Sequence, residues 1–250
     1  MADAVNLEAA AGAAGLRWRK VLLKVSGEAL MGSRGFGIDP AVLDRIASEV
    51  AEGVRLGARI GLVVGGGNFV RGAKIAADGG DRVAGDHMGM LATVMNCLAM
   101  RAALAHCGVP CVVLSALVVP AICETFTQRA AVEHMDAGRV VLFAGGTGNP
   151  FFTTDSAAAL RAAELGCDAL MKGTNVDGIY SADPRNDPTA VRYETLTHQE
   201  VLARDLAVMD AAAIALARDN GIPVIVFSIK EPGEFVDVLR GAGRATVVTG

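Results

Sequence analysis

Val140-Val141-Leu142-Phe143-Ala144-Gly145-Gly146-Thr147-Gly148-Asn149-Pro150-Phe151-Phe152-Thr153-Thr154-Asp155 begins as an apolar run and breaks into glycines at Gly145. The Ala-rich segment that follows, Ser156 to Leu165, predicts a helix. A strand that ends in glycines and enters a helix presents bare backbone N–H groups to an anion. This loop also holds two adjacent aromatics, Phe151 and Phe152, and the hydroxyls of Thr147, Thr153 and Thr154, and it closes on Asp155. Those groups suit a base or a sugar as well as a phosphate.

Three other segments end in the same way. Val21-Leu22-Leu23-Lys24-Val25 predicts a buried strand with Lys24 near its carboxyl end, running into Ser26-Gly27-Glu28. Asp39 and Pro40 read as an N-cap and first helical residue, with Leu43, Ile46, Val50 and Val54 at helical spacing and Gly57 as the stop. Ile60 to Val64 is the next strand and opens into Gly65-Gly66-Gly67-Asn68. Strand, helix and strand make a βαβ unit, for which parallel pairing is the default. Asp168 to Lys172 predicts a strand ending in Gly173-Thr174-Asn175. In an open α/β sheet ligands bind beyond the carboxyl ends of the strands, so four such ends are expected to converge on one crevice.

The remaining elements follow from periodicity. A helix is expected from about Asp86 to Cys107, with Met90, Val94, Leu98 and Arg101 near one face and Leu91, Met95 and Met100 widening the apolar stripe. Such methionines read as core or as a subunit interface. Val112 to Leu114 predicts a strand, and Gln128 to Ala137 a helix closed by Gly138. Residues 176–196 read as turns and short β pieces. Thr197 and Glu200 have capping-box spacing, and Asp210 is placed to cap a helix running to Asn220. Val224 to Phe227 and Ala245 to Val248 are the last strands.

With 250 residues, 52% of them hydrophobic and 20% charged, the chain fits one α/β domain rather than a disordered segment. A net charge of -4 gives no electrostatic footprint for nucleic acid. The five cysteines form no CxxC pair and the four histidines show no metal spacing, so buried reduced thiols and no zinc site are expected. Residues 1–17 read as a disordered tail without the basic start of a signal peptide, and residues 18–250 as the folded domain. The uncharged run from Cys107 to Cys123 is too short and Pro-broken to span a bilayer, so a cytoplasmic protein is expected.

No segment matches GxxxxGK[ST], no strand leads into GxGxxG followed by an acidic residue, and there is no GxSxG elbow. The charged residues at the strand ends are Lys24, Lys172, Arg71, Asp86, Asp155 and Asp210. Singly, the lysines would read as surface residues and the aspartates as N-caps. Beside four glycine ends they suit phosphoryl transfer, which needs positioning and charge neutralisation rather than covalent help.

Lys24-Val25-Ser26-Gly27-Glu28, Gly65-Gly66-Gly67-Asn68 with Arg71, Gly85-Asp86-His87-Met88-Gly89-Met90, the loop through Asp155, Asn175-Val176-Asp177-Gly178 and Ala182-Asp183-Pro184 together resemble the bacterial UMP kinases of the amino-acid kinase superfamily. The resemblance covers about residues 18–249. It implies an α/β fold, a three-layer αβα sandwich with a central, mostly parallel sheet, whose N-terminal half holds UMP and whose C-terminal half holds ATP. Lys24, Val25, Ser26 and Gly27 would meet ATP phosphates. Gly66, Gly67 and Arg71 would cradle the acceptor phosphate, with Gly67 and Arg71 also reaching ATP. Asp86 would bind the UMP ribose, and Thr147, Gly148, Asn149, Pro150, Phe151, Phe152, Thr153 and Thr154 the rest of the nucleotide. Lys172 would share transition-state charge with Lys24, while Asp155 and Asp210 organise the lysines and Mg²⁺. The metal is expected on ATP phosphates, with no direct protein ligand. Thr174, Asn175, Tyr180 and Asp183 would hold the adenosine side.

The same resemblance implies a homohexamer inhibited by UTP. Gly32, Ser33, Arg34, Gly35, Phe36 and Gly37, with Arg101 and Arg139, match the family's GTP-activation site, whereas Ala105, Val112 and Gln128 stand where enterobacterial members have His, Arg and Trp. Two other readings remain at this point: another acceptor, such as a carboxylate or carbamate, and a non-catalytic binding or storage protein. The Phe151-Phe152 and threonine set disfavours the first. Retention of both lysines with Asp155 and Asp183 disfavours the second.

Overall fold

The computed structural model describes residues 15–184, 186–206 and 208–250. Most of the expected tail, residues 1–14, lies outside the described residues. The contacts with the fold start slightly before the boundary expected after residue 17: the Arg17 amide, like that of Trp18, donates to the Leu239 carbonyl, at 3.0 and 3.1 Å respectively.

The elements run β1 (Lys20–Val25), a 3-10 turn (Gly27–Met31), α1 (Pro40–Arg55), β2 (Arg59–Val64), α2 (Gly72–Ala77), α3 (Arg82–His106), β3 (Cys111–Ser115), β4 (Glu124–Thr125), α4 (Gln128–Asp136), β5 (Val140–Ala144), α5 (Thr154–Leu165), β6 (Ala169–Thr174), β7 (Ile179–Tyr180), β8 (Arg192–Tyr193), β9 (Thr195–Thr197), α6 (His198–Ala203), α7 (Ala211–Asp219), β10 (Val224–Ser228), α8 (Glu234–Arg240) and β11 (Ala245–Thr249). Nine strands form one sheet in the order β4-β3-β5-β2-β1-β6-β10-β11-β9. Every pairing in it is parallel except β10 with β11. The strands that end in glycine or small polar residues, β5, β2, β1 and β6, are four consecutive neighbours. Their carboxyl ends therefore do lie side by side, as the sequence predicts.

Side chains alternate across the sheet and separate two cores. Val21, Leu23 and Val25 join a cluster with residues of α1, α3 and α8, such as Ile46, Leu104 and Phe235. Leu22 and Leu170 join the opposite cluster, with Ala158, Ala162 and Ile214 of α5 and α7. This period-two pattern turns Lys24 and Lys172 to the α5 side. Three alanines of α5, at 157, 158 and 159, are at most 1% exposed. Their small size lets the helix sit close to the sheet beneath the lysines.

Several boundaries differ from expectation. The helix expected from Asp86 begins at Arg82, because the Asp81 carboxylate caps it by accepting from the Val83 amide at 2.9 Å. Met90, Val94 and Met100 are buried, but Leu91, Met95 and Arg101 face outward. By length and composition α3 could cross a membrane, yet half of its most apolar window is buried in the fold. The strand expected to stop at Lys172 continues to Thr174, since Gly173 pairs with Val25 and Phe227 and Thr174 with Ser228. α2, α8 and the 3-10 turn, all short, gave no periodic signal. The caps at Asp39, Asp210 and the Thr197–Glu200 capping box are as read. All five cysteines are free thiols; Cys97, Cys123 and Cys167 are buried, Cys111 is half-buried and Cys107 is exposed.

Candidate active site

Lys24 of β1 and Lys172 of β6 are cross-strand partners in register. Asp155, in the first turn of α5, meets both: Oδ1 lies 2.6 Å from Lys24 Nζ and Oδ2 lies 2.7 Å from Lys172 Nζ. Lys172 also donates to the Val208 carbonyl. Burial alone would raise the Asp155 carboxyl, but the Lys24 and Lys172 charges outweigh it and hold the group below the ordinary carboxylate range. Burial, together with the neighbouring Lys24 charge, pulls the Lys172 ammonium below the ordinary lysine range despite Asp155. Two cations with one carboxylate leave a net positive charge at the sheet's carboxyl edge, which suits a polyanionic ligand.

Asp155 is not the cap of its helix. Thr153 takes that role, its hydroxyl oxygen accepting from the Asp155 and Ser156 amides at 3.0 and 3.3 Å. The Thr153 hydroxyl in turn donates to Asp210 Oδ2. Asp210 Oδ1 accepts from Ser156 Oγ at 2.9 Å and from the Ala213 amide at 2.8 Å. Asp210 thus ties the start of α7 to the start of α5 and forms no ion pair with either lysine. It braces the helix that carries Asp155, and its charge also favours the Lys172 ammonium.

The lysine pair lines the larger of two clefts. The larger, about 600 Å³, is lined by Lys24, Ser26, Lys172, Thr174, Asn175, Tyr180 and Asp183 among others. The smaller, about 110 Å³, is lined by Gly66, Asp86, Phe152 and Thr154 together with Val70, Gly72, Gly89, Met90 and Thr93. A Cβ at Gly66 would lie 2.5 Å from the Gly89 carbonyl oxygen, so only glycine lets the β2 loop close on α3 here. Among the described residues no three His, Cys, Asp or Glu side chains converge to hold a metal ion.

The sequence model described as "Amino acid kinase family" matches residues 19–228. The chain belongs to the amino acid kinase family. It is 64% identical over 232 residues to the uridylate kinase of Rhizobium meliloti (strain 1021), covering 93% of this chain and 97% of that one. The UMP kinase structure from Bacillus anthracis superposes with a TM-score of 0.89 at 35% identity, covering 93% of this chain and 96% of that one. That from Ureaplasma parvum gives 0.88 at 36% identity, covering 94% and 100%.

Within this amino acid kinase the expected site residues fall into three groups. Lys24, Ser26, Lys172, Thr174, Asn175, Tyr180 and Asp183 line the larger cleft, and Gly66, Asp86, Phe152 and Thr154 the smaller one. Val25 is different: its side chain is in the core, and its carbonyl accepts from the Gly65 amide at 2.9 Å. Gly27 packs against Gly65 and Asn68, and Gly67 sits beside Arg71, which pairs with Glu28 of the larger cleft's lining.

The second group is the turn of Thr147, Gly148, Asn149, Pro150 and Phe151. It lies outside the smaller cleft's lining and is held by its own bonds, Asn149 N to Thr147 Oγ1 at 3.1 Å and Gly148 N to Gly145 O at 2.9 Å. It reaches the site through the Phe151 amide, which donates to Asp86 Oδ2 at 2.8 Å. Asp86 also accepts from Arg82 Nε at 2.9 and 3.0 Å, so its carboxylate is braced from two sides.

The third group, the expected effector residues, is not assembled within one chain. Gly32 to Gly37 follow the 3-10 turn beyond the carboxyl end of β1, where Phe36 packs edge-on to Phe69 at 5.5 Å. Arg101 is near the C-terminal end of α3, where its carbonyl accepts from Cys111 Sγ, and Arg139 precedes β5. Those two lie at the amino end of the sheet, opposite Gly32 to Gly37. Of the cleft residues that sequence reasoning missed, Thr93 had no signal: it is buried in α3 and accepts from the Gly145 amide at 2.8 Å.

Proposed function

We propose that this chain is a UMP kinase that transfers the γ-phosphoryl group of Mg²⁺-bound ATP to UMP, giving UDP and ADP, reversibly, in pyrimidine nucleotide biosynthesis. The observation that carries the reading is the Lys24–Asp155–Lys172 triad, whose lysines line a large cleft while Thr154, next to Asp155, lines a small one. A monophosphate acceptor has a second pKa of about 6, so its attacking oxygen is already ionised at neutral pH and no general base is needed. The obstacle is repulsion between two anions. Lys24, Lys172, Arg71 and the N–H groups of the glycine loops supply the opposing charge. Asp155 fixes where both ammonium groups stand.

The donor set fits a magnesium ion carried on the triphosphate rather than in a protein cage, because the nearby carboxylates of Asp155 and Asp210 are taken up by lysines and hydroxyls. When bound, the ion neutralises phosphate charge. ATP fits the larger cleft, with Thr174, Asn175, Tyr180 and Asp183 toward adenosine. UMP fits the smaller one, with Asp86 toward the ribose and the Thr147 to Thr154 loop toward uracil.

The exposed Met88, Leu91 and Met95 of α3 support assembly into a homohexamer, in which Gly32 to Gly37 of one chain would meet Arg101 and Arg139 of another as a GTP effector site. UTP inhibition follows from the uridine selectivity of the acceptor cleft. A cytoplasmic location and the absence of nucleic-acid and membrane partners belong to the same proposal. The test is a coupled assay of ADP release with UMP, CMP, dUMP, dTMP and amino acids as acceptors. UMP is expected to be strongly preferred; no ADP release with UMP and Mg²⁺-ATP sinks the reading.

A further inference from the structure

Asn68, after β2, and Asn96, in the middle of α3, form a reciprocal amide pair in the interior, with exposures of 1% and 0%. Asn68 Nδ2 donates to Asn96 Oδ1 at 2.9 Å, and Asn96 Nδ2 donates to Asn68 Oδ1 at 2.7 Å. Each amide spends its second N–H on a backbone carbonyl: Asn68 on Gly37 at 3.0 Å and Asn96 on Gly65 at 2.7 Å. All four N–H donors and both oxygens are satisfied without water. An aliphatic pair would fill this space but leave the Gly37 and Gly65 carbonyls without these donors, so the amides serve the two loops rather than packing alone.

The position of the pair shows what it holds. Gly65 begins the loop proposed to cradle the acceptor phosphate. Gly27, in the loop proposed to meet ATP, packs on the same two groups: a Cβ there would lie 2.4 Å from Gly65 O and 2.7 Å from Asn68 Oδ1. The Asn68 backbone carbonyl also accepts from the Gly37 amide at 3.0 Å, so the chain beyond the 3-10 turn is bonded to Asn68 twice. Donor loop, acceptor loop and α3 therefore share one node, and none of its side chains faces either cleft.

We propose that Asn68 and Asn96 are positioning residues for phosphoryl transfer, setting the separation of the donor and acceptor phosphate loops without touching either nucleotide. The inference rests on the kinase reading above. Its physical basis is that a misplacement of about 1 Å costs on the order of a hundredfold in rate, while each loop can still bind its own phosphate.

The test uses Asn68→Ser and Asn96→Ser, neutral changes that open the reciprocal pair from either side. The double variant Asn68→Leu with Asn96→Leu fills the space and keeps the test alive if a single variant does not fold. Thermal melting, kcat, and separate binding of ATP, UMP and a bisubstrate analogue joining adenosine to uridine through a polyphosphate are measured. The expected result is kcat and analogue affinity down about tenfold or more, with ATP and UMP affinities each within about threefold of wild type. Unchanged kcat, or ATP and UMP affinities falling as far as analogue affinity, overturns the proposal. Wild type is assayed in parallel: if it makes no ADP with UMP, the kinase reading fails and takes this inference with it, whereas active wild type with equally active variants fails the inference alone.

Discussion

Lys24 and Lys172 stand directly opposite each other on adjacent parallel strands, and one carboxylate, Asp155, holds both. Parallel strands in register bring equivalent side chains together, so two lysines on the same face would repel unless an anion is interposed. In the free enzyme that anion is Asp155. In the proposed complex the phosphates add to it.

Removing the carboxylate separates its two roles. Asp155→Asn keeps the shape and leaves the lysines without their tether; kcat for UMP phosphorylation is expected to fall about 10²–10³-fold. Asp155→Ala leaves Lys24 without its ion-pair partner and Lys172 with the Val208 carbonyl alone, and is expected to cost about 3–5 kcal/mol of stability. Steady-state kinetics check the first and urea unfolding the second. An Asn variant with wild-type kcat would remove Asp155 from the chemistry.

Lys172 gives a pH prediction. Burial lowers its pKa, so the charged form that opposes phosphate repulsion is present below that lowered value and is lost as pH rises through it. The alkaline limb of kcat/KM is therefore expected to fall at a pH below the ordinary lysine value of 10.5. Lys172→Arg, whose guanidinium stays charged, is expected to move that limb upward while lowering the maximum rate, because arginine does not fit a point-charge site. The pH profile of kcat/KM for ATP, which reports the free enzyme, checks it.

How much of this was legible in the sequence differs by residue. The convergence of four strand ends was readable, because each ends in a glycine or small polar run and neighbouring strands share an edge. The lysine pair was readable as two candidates, but their registry was not, since the two lysines lie 148 positions apart in the chain. Thr153, Thr154 and Asp155 are all acceptable helix caps, and local chemistry alone does not choose among them. The choice falls to Thr153 because the lysines claim Asp155 and Asp210 claims the Thr153 hydroxyl. Similarly, Asp86 taken singly reads as an N-cap, yet Asp81 caps α3 further upstream. The Asn68–Asn96 pair joins two asparagines 28 residues apart and left no trace in local pattern.

Asp86 and Phe151 offer a test of the acceptor side. Phe151 has φ +71°, a left-handed conformation that costs a bulky residue roughly 1–2 kcal/mol, and its amide is held by Asp86. Its ring is 66% exposed, with the Arg82 guanidinium 5.4 Å from its centroid. Asp86→Ala is expected to raise the KM for UMP about tenfold or more, through loss of both the ribose contact and the turn's anchor, with the KM for ATP little changed. Equal effects on both substrates would contradict the acceptor role. Phe151→Gly relieves the backbone strain, so thermal stability is expected to hold even as UMP binding weakens.

Acid stability is expected to depend on His198, far from the chemistry at the start of α6. The residue is 1% exposed, and its Nε2 lies 3.1 Å from the Ile222 carbonyl. Burial holds its imidazole below the ordinary histidine value of 6.5, against the opposing pull of the Ile222 and Thr249 backbone. The sign follows from proton counting. Between the lowered folded value and 6.5 the unfolded chain binds more protons than the native one, so stability rises with pH in that window and is lost as pH falls through it. Melting temperature measured from pH 7.5 downward is expected to decline below about pH 6.5. His198→Gln keeps a side-chain N–H donor for the Ile222 carbonyl but cannot take up the proton, so the decline should be shallower in that variant. Asp155, whose lowered pKa leaves its contribution intact until the carboxylate range, does not act in this window. Parallel curves for wild type and variant between pH 6.5 and pH 5 would assign the acid sensitivity to another group.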